Sequence, residues 1–175
     1  MKILIAYGST EGQTRKIARF CADHVIERGH SVEVLPAADA KDVDLGRFDA
    51  ALLAGSVHAG KYQKPLIRFA KRQAEALAAM KSAFLSVSLA AAGTDQDDWA
   101  ALRECVNRVA ERTGWSPDPV FHVAGAFRFS EYDFFKSWAM RWIAAQKEME
   151  VDPNEDTEFT DWAALKDTLD QWLDG

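Results

Sequence analysis

The stretch KILIAYGSTEGQTRKIARF, residues 2–20, decides the fold. Ile3 to Tyr7 form an unbroken apolar run, as a strand buried on both faces requires. The run stops at Gly8, and Ser9, Thr10, Glu11, Gly12, Gln13 and Thr14 follow. From Thr14 to about Arg28, Ile17, Cys21 and Val25 share one helical face, and Gly29 supplies a stop. A buried strand that runs through a short polar turn into a helix is the first half of a parallel βαβ unit.

The rest of the chain repeats this alternation. Further apolar runs occur at SVEVL (31–35), DAALLAG (49–55), SAFLSVS (82–88) and PVFHVAG (119–125). Helical spacing appears from Tyr62 to Met80, from Asp95 to Gly114, from Glu131 to Lys147 and from Asp161 onward. Between the second and third strands, residues 37–48 leave room only for a turn of helix. Pro153, Asn154, Glu155 and Asp156 read as a turn before the last helix. The expected architecture is one α/β domain over residues 1–175. It is a doubly wound five-stranded parallel sheet of order 2-1-3-4-5, with helices on both faces.

A net charge of -6 argues against a nucleic-acid partner. No apolar run approaches the roughly 20 residues that a membrane span needs. The chain opens directly on a strand pattern, which makes a cytoplasmic protein the expectation. Cys21 and Cys105 form no CxxC, sit in helical patterns and read as buried free thiols. His24, His30, His58 and His122 are scattered, with neither an HExxH pair nor a Cys/His cluster, so no metal site is expected. No nucleophile–base–acid set is visible, so no residue is assigned a catalytic role and a cofactor would carry any chemistry.

In open parallel sheets, ligands bind beyond the carboxyl ends of the strands at the switch point, here between strands 1 and 3. That places a site among three loops: 8–14, 55–62 and 88–94. The first pairs a helix start with the hydroxyls of Ser9, Thr10 and Thr14, a cradle for an anion built of dipoles and hydroxyls. Gly8 and Gly12 lie too close together for a Walker A loop, and Thr10 breaks the dinucleotide fingerprint. A plain polar turn that caps a helix remains the alternative. In the second loop, Gly55 and Gly60 allow close backbone approach to a flat ligand, and His58 and Tyr62 can stack or donate. The third is nearly all small residues, which suits either a flat ring or an ordinary strand-to-helix connection.

These residues also carry a resemblance. STEGQT (9–14) after a first strand resembles the phosphate loop of flavodoxins. STEGQTRKIA (9–18), GSVHAGKY (55–62), SAFLSVSL (82–89), AGAFRFSEY (124–132) and FTDW (159–162) together resemble the flavodoxin-like menaquinone-dependent protoporphyrinogen IX dehydrogenases. The resemblance implies a flavodoxin-like fold and non-covalent FMN. It also implies oxidation of protoporphyrinogen IX in haem biosynthesis, with electrons passed to a quinone or the respiratory chain. Carried over by position, Ser9, Thr10, Gly12, Gln13 and Thr14 hold the FMN phosphate, with Glu11 in the same loop. Ser56, Val57, His58, Ala59, Gly60 and Tyr62 flank one side of the isoalloxazine, and Ser88, Leu89, Ala90 and Ala91 the other.

Where that family carries a basic segment after the fourth strand, thought to engage membrane or substrate, this chain has Asp95, Asp97 and Asp98, and residues 148–175 are more acidic still. The departure bears on the quinone at the membrane surface and leaves the flavin inference intact. Acidity favours a second reading, a flavodoxin-type electron carrier that docks a redox partner protein and has no substrate of its own. The aromatic segment 127–143 favours the enzyme and its porphyrinogen substrate. A third reading is a structural or regulatory domain that has lost FMN. Lys61, Lys64, Arg68 and Lys71 follow helical spacing and read as a solvated face or as a guide for the propionates of a porphyrinogen.

Overall fold

The computed structural model describes residues 1–127 and 156–175. Five strands form the main sheet: β1 (Lys2–Gly8), β2 (Ser31–Pro36), β3 (Ala50–Ser56), β4 (Lys81–Ser88) and β5 (Val120–Ala124). Their spatial order is β2-β1-β3-β4-β5, every pairing is parallel, and the expected topology is the observed one. The helices are α1 (Gln13–Glu27), α2 (Lys64–Arg72), α3 (Ala74–Ala79), α4 (Gln96–Thr113) and α5 (Trp162–Asp174). Two short 3-10 turns, Ala40–Asp42 and Leu45–Arg47, fill the connection between β2 and β3.

Alternate side chains of the buried strands feed two cores. Ile3, Ile5, Leu52 and Leu85 pack with Ile17, Cys21 and Val25 of α1 and with Leu165, Leu169 and Trp172 of α5. Leu4, Leu53 and Phe84 pack on the opposite face with Leu66, Phe69, Cys105, Val109 and Trp115. Each fully buried aliphatic side chain contributes about 1.5–3 kcal/mol to folding before the loss of chain entropy. Cys21 is 0% exposed, and burial pushes its thiol up to about 12. Both cysteines are buried free thiols, as expected.

Helix ends follow local chemistry where a capping residue is present. Asp95 accepts hydrogen bonds from the N–H groups of Asp97 and Asp98, and Gly114 ends α4 at φ 78. The acids after β4 thus cap a helix and complement its dipole. The single helix expected over 62–80 is instead two. Pro65 falls at the start of α2, the place where a missing N–H costs nothing. Tyr62 is drawn into the core and stays outside the helix. At Gln73 the backbone leaves the helical region (φ -106, ψ 13), and its Nε2 donates to the Val43 carbonyl at 2.9 Å. Lys61 therefore lies off the helix, while Lys64, Arg68 and Lys71 are exposed on α2.

The chain end returns to the sheet. Strands β6 (Ala126–Phe127) and β7 (Thr157–Glu158) pair antiparallel beyond β5. Asp161 caps α5 by accepting from the Ala164 N–H, and α5 then packs along α1. Asp170 meets His24 Nε2 and Arg28 Nη1, each at 2.6 Å, and Asp174 meets Arg28 Nη2 at 2.6 Å. The hydrogen bond with His24, reinforced by Arg28, holds the Asp170 carboxyl below its ordinary range. Part of the C-terminal acidity is thus matched to α1. The helix expected over 131–147, the aromatic segment from 128 onward and most of the turn at 153–156 lie outside the described residues.

Candidate functional site

The first loop begins where β1 ends. Gly12 is the residue before α1, with φ 92 and no side chain to cap the helix. The first N–H groups of an α-helix have no intrahelical partner, so this start is open to an external acceptor. The Gly12 N–H itself donates to Ser9 Oγ at 3.0 Å, which shapes the turn. Thr14 lies in the first helical turn at 1% exposure, and its Oγ1 has no hydrogen-bond partner among the described residues.

Gln13 behaves differently from its neighbours. Its side chain points to the C-terminal segment, donating to Thr160 Oγ1 at 2.9 Å and to Glu158 Oε2 at 3.0 Å. Thr160 in turn donates to the Ala124 carbonyl at 2.7 Å. Lys16 adds an ion pair to Glu158 at 2.6 Å. The Nε2 of Gln13 therefore braces the loop against the C-terminal segment, while its Oε1 is buried with no hydrogen-bond partner among the described residues.

Glu158 gives this brace a pH dependence. Burial pushes its carboxyl up, but hydrogen bonds from Lys16, Gln13 and Trp162 outweigh that and hold it below its ordinary range. A carboxyl lowered in the folded state stabilises it above the ordinary carboxylate range, and that gain is lost as the pH falls through the folded-state value. Glu158→Gln should cost about 1 kcal/mol or less at neutral pH, given the partial exposure of the pair. The gap in melting temperature from the wild type should close on acidification. A gap that stays constant with pH would show that the charge of Glu158 contributes nothing.

The second loop is a tight hairpin. His58 and Lys61 exchange both backbone hydrogen bonds, at 2.8 and 3.0 Å, with Ala59 and Gly60 at the tip. Both tip residues have positive φ, 47 for Ala59 and 71 for Gly60, as a primed turn demands. The Gly60 carbonyl accepts from Arg108 Nη2 at 3.0 Å, which fastens the tip to α4. His58 is half-buried. Tyr62, expected beside a ring, is 7% exposed and lies in the core. Its hydroxyl shares a 2.7 Å hydrogen bond with Ser86 Oγ, and its ring meets Phe84 edge-on at 5.0 Å. Burial pushes the Tyr62 phenol above its ordinary value. It supports the loop from beneath.

In the third loop, Ser88 Oγ accepts from the Ala91 N–H at 3.1 Å, closing a 3-10 turn over Ala90–Ala92. Trp99 Nε1 donates to the Gly93 carbonyl at 2.9 Å and holds the loop's far end. The Trp99 ring stands edge-on to His122 at 5.3 Å. Burial, with Arg103 nearby, lowers the pKa of His122.

A crevice of about 460 Å³ opens at the end of β1, with Pro36 and Ala38 from the end of β2 also in its wall. Ser9, Thr10, Glu11, Gly12 and Arg15 line one side, and Gln63 and Pro65 the other. Ser56 joins this group through Gln63, whose Nε2 donates to both Thr10 Oγ1 and Ser56 Oγ. Val57, His58, Ala59, Gly60 and Ser88–Ala91 lie at the ends of β3 and β4 and do not line this crevice, nor do Gln13, Ser56 and Tyr62; Thr14 sits behind its wall, between the lining residues Gly12 and Arg15. Gln63 and Glu158 have no local signature in the sequence, and Thr160 is marked only by its place in FTDW (159–162). Arg15 does have one, as the first cation after the loop.

Residues 4–154 match the family described as Flavodoxin domain. Over 169 residues the chain is 30% identical to protoporphyrinogen IX dehydrogenase (quinone) of Leishmania major, covering 94% of this chain and 71% of that protein. Over 166 residues it is 29% identical to the protein of the same name from Escherichia coli K12, covering 93% and 89%. Among solved structures, oxidised flavodoxin 1 of Bacillus cereus superposes with a TM-score of 0.58 at 12% identity, covering 99% of this chain and 98% of that one. Flavodoxin 2 of the same organism gives 0.54 at 19% identity, over 71% and 85%. These two likenesses concern the fold, and they agree with the observed strand order. The strand order, the length matched by the family and the identity to the dehydrogenases converge: the chain belongs to the flavodoxin domain family and, within it, to the flavodoxin-like protoporphyrinogen IX dehydrogenases.

Proposed function

We propose that this chain binds FMN over the ends of β1 and β3 and is an oxidoreductase that dehydrogenates protoporphyrinogen IX, with a quinone as electron acceptor. Substrate and acceptor are taken from the names of its relatives. The observation that carries the cofactor reading is Thr14. A buried hydroxyl without a partner costs about 1–3 kcal/mol, and a phosphate oxygen at a helix start would satisfy it. Gly12 adds an uncapped backbone with open space where a Cβ would stand. The residues present therefore fit the phosphate end of FMN.

In this reading Ser9, Thr10 and Thr14 orient the phosphate with the N–H groups of α1. Gln13 braces their loop through Thr160 and Glu158. The second and third loops offer backbone and small side chains to a flat ring, and Arg108 and Trp99 restrain them. FMN, when bound, supplies an acceptor for hydride. Exposed Lys64, Arg68 and Lys71 lie beyond the second loop and would draw in carboxylates.

An electron carrier is the second reading, favoured by the net charge of -6. The structure weakens it, because Glu158, Asp161, Asp170 and Asp174 already serve internal contacts. The test is anaerobic. FMN-loaded protein mixed with protoporphyrinogen IX should lose its yellow colour and develop porphyrin fluorescence. Failure to bind FMN would sink both readings. A flavin that stays oxidised with the porphyrinogen, yet is reduced by a reductase, would leave the carrier.

A further inference from the structure

Gln63 joins the two loops that meet at the switch point. Its Nε2 donates to Thr10 Oγ1 at 2.9 Å and to Ser56 Oγ at 2.6 Å, so both N–H bonds of the amide are used. The two hydroxyls belong to different loops, one after β1 and one at the end of β3. The amide rests over Gly8 and Gly55, which are partners in the β1–β3 register. A Cβ on Gly8 would come within 2.8 Å of Gln63 Oε1, and one on Gly55 within 3.7 Å. Side-chain-free backbone at Gly8 thus makes room for this amide. Oε1 is buried and has no hydrogen-bond partner among the described residues.

The polarity of this bridge matters for an anion. A hydroxyl that accepts through a lone pair keeps its own O–H free to donate. Thr10, which lines the crevice, then has its O–H free to donate into it, as a phosphate monoester requires, and Ser56, bonded to the same amide, keeps its O–H free as well. An acceptor in place of Nε2 would take both O–H hydrogens and turn lone pairs toward the ligand. We infer that Gln63 is a positioning residue: it sets the donor direction of Thr10 and Ser56 and thereby makes the crevice prefer a phosphorylated flavin over an unphosphorylated one. The inference rests on the reading of this crevice as the flavin phosphate site. Ser56, expected at the ring, serves the phosphate end in this arrangement.

Gln63→Glu tests it with almost no change of shape, because a carboxylate only accepts. Dissociation constants for FMN and for riboflavin, with melting temperatures, should be measured for the wild type, Gln63→Glu and Gln63→Ala. The wild type should prefer FMN. In Gln63→Glu the FMN-over-riboflavin preference should fall roughly 10- to 100-fold, the range for hydrogen bonds to a charged group, with riboflavin binding little changed. Part of the preference, judged against wild type at the same pH, should return when the new carboxyl is protonated in acid. Gln63→Ala removes the bridge without reversing it and should lose less.

An unchanged preference in Gln63→Glu, or equal weakening of both flavins, would overturn the inference. If Gln63→Glu does not fold, Gln63→Ala decides: a several-fold fall in preference supports the inference and an unchanged ratio overturns it. Inorganic phosphate separates this inference from the flavin reading. If the wild type binds no flavin but phosphate raises its melting temperature more than that of Gln63→Glu, the donor role stands and the flavin reading fails. If neither flavin nor phosphate binds the wild type, both fall.

Discussion

Thr14→Val should make the flavin-free protein more stable while weakening FMN binding. The Thr14 hydroxyl is buried, and its Oγ1 has no partner among the described residues. Valine keeps the branched shape and removes the unsatisfied polar atom, whose burial costs about 1–3 kcal/mol. The same atom, bonded to a phosphate, contributes on the order of 1.5–3 kcal/mol. FMN affinity should therefore fall roughly 10- to 100-fold while the melting temperature of the apoprotein rises. Calorimetric melting without ligand and fluorescence titration with FMN measure the two halves separately. Unchanged affinity would place the phosphate elsewhere. A lower melting temperature would show that the hydroxyl has a partner in the folded chain.

Trp115→Ala should be the most damaging single change to stability among the described residues. Trp115 is 1% exposed and heads the largest fully buried side chains. Its ring stands edge-on to Phe84 at 6.1 Å, and Phe84 stands edge-on to Tyr62 at 5.0 Å. Truncating a buried aromatic to alanine costs about 3–5 kcal/mol through lost transfer energy and the cavity left behind. That is a large share of the roughly 5–15 kcal/mol a domain has in total. A chain of this length should lose on the order of 10 °C in melting temperature. The damage should reach the second loop, because Tyr62 supports it through Ser86. A loss below about 1 kcal/mol would mean that the site collapses around the missing ring.

The C-terminal segment changes meaning once it is seen in place. As sequence it is an acidic tail, and acidity alone points to docking of a basic partner. In the structure, Glu158 reaches Gln13 and Lys16 beside the first loop. Asp161 starts α5, and Asp170 and Asp174 fasten that helix to His24 and Arg28 of α1. The end of the chain is thus a brace on the helix whose start we propose to hold the phosphate. Removing it should disturb the first loop before it disturbs the sheet.

What the sequence determined by itself was the order of elements and the strand arrangement. Period-two burial is absent from β1, β3 and β4, because helices cover both faces, and the resulting apolar runs are plain to read. Asp95 and Gly114 announced the ends of α4, because capping chemistry is local. Which loops follow β1, β3 and β4 was legible too, because the strand order fixes which loops share one end of the sheet. The break at Gln73 was not legible, because the apolar spacing continues through it and the departure depends on a bond to Val43. The inward turn of Tyr62 depends on Ser86, on another strand. Gln63 looks like any polar residue at a helix start until β1 and β3 bring Thr10 and Ser56 to its two N–H groups. That the side chain of Gln13 reaches Thr160, 147 residues away, cannot be read from the loop itself. Periodicity and caps report on neighbours within a turn or two. Which side chain of a loop faces the crevice, and which braces it from behind, was decided by partners that only the packed sheet brings within hydrogen-bond reach.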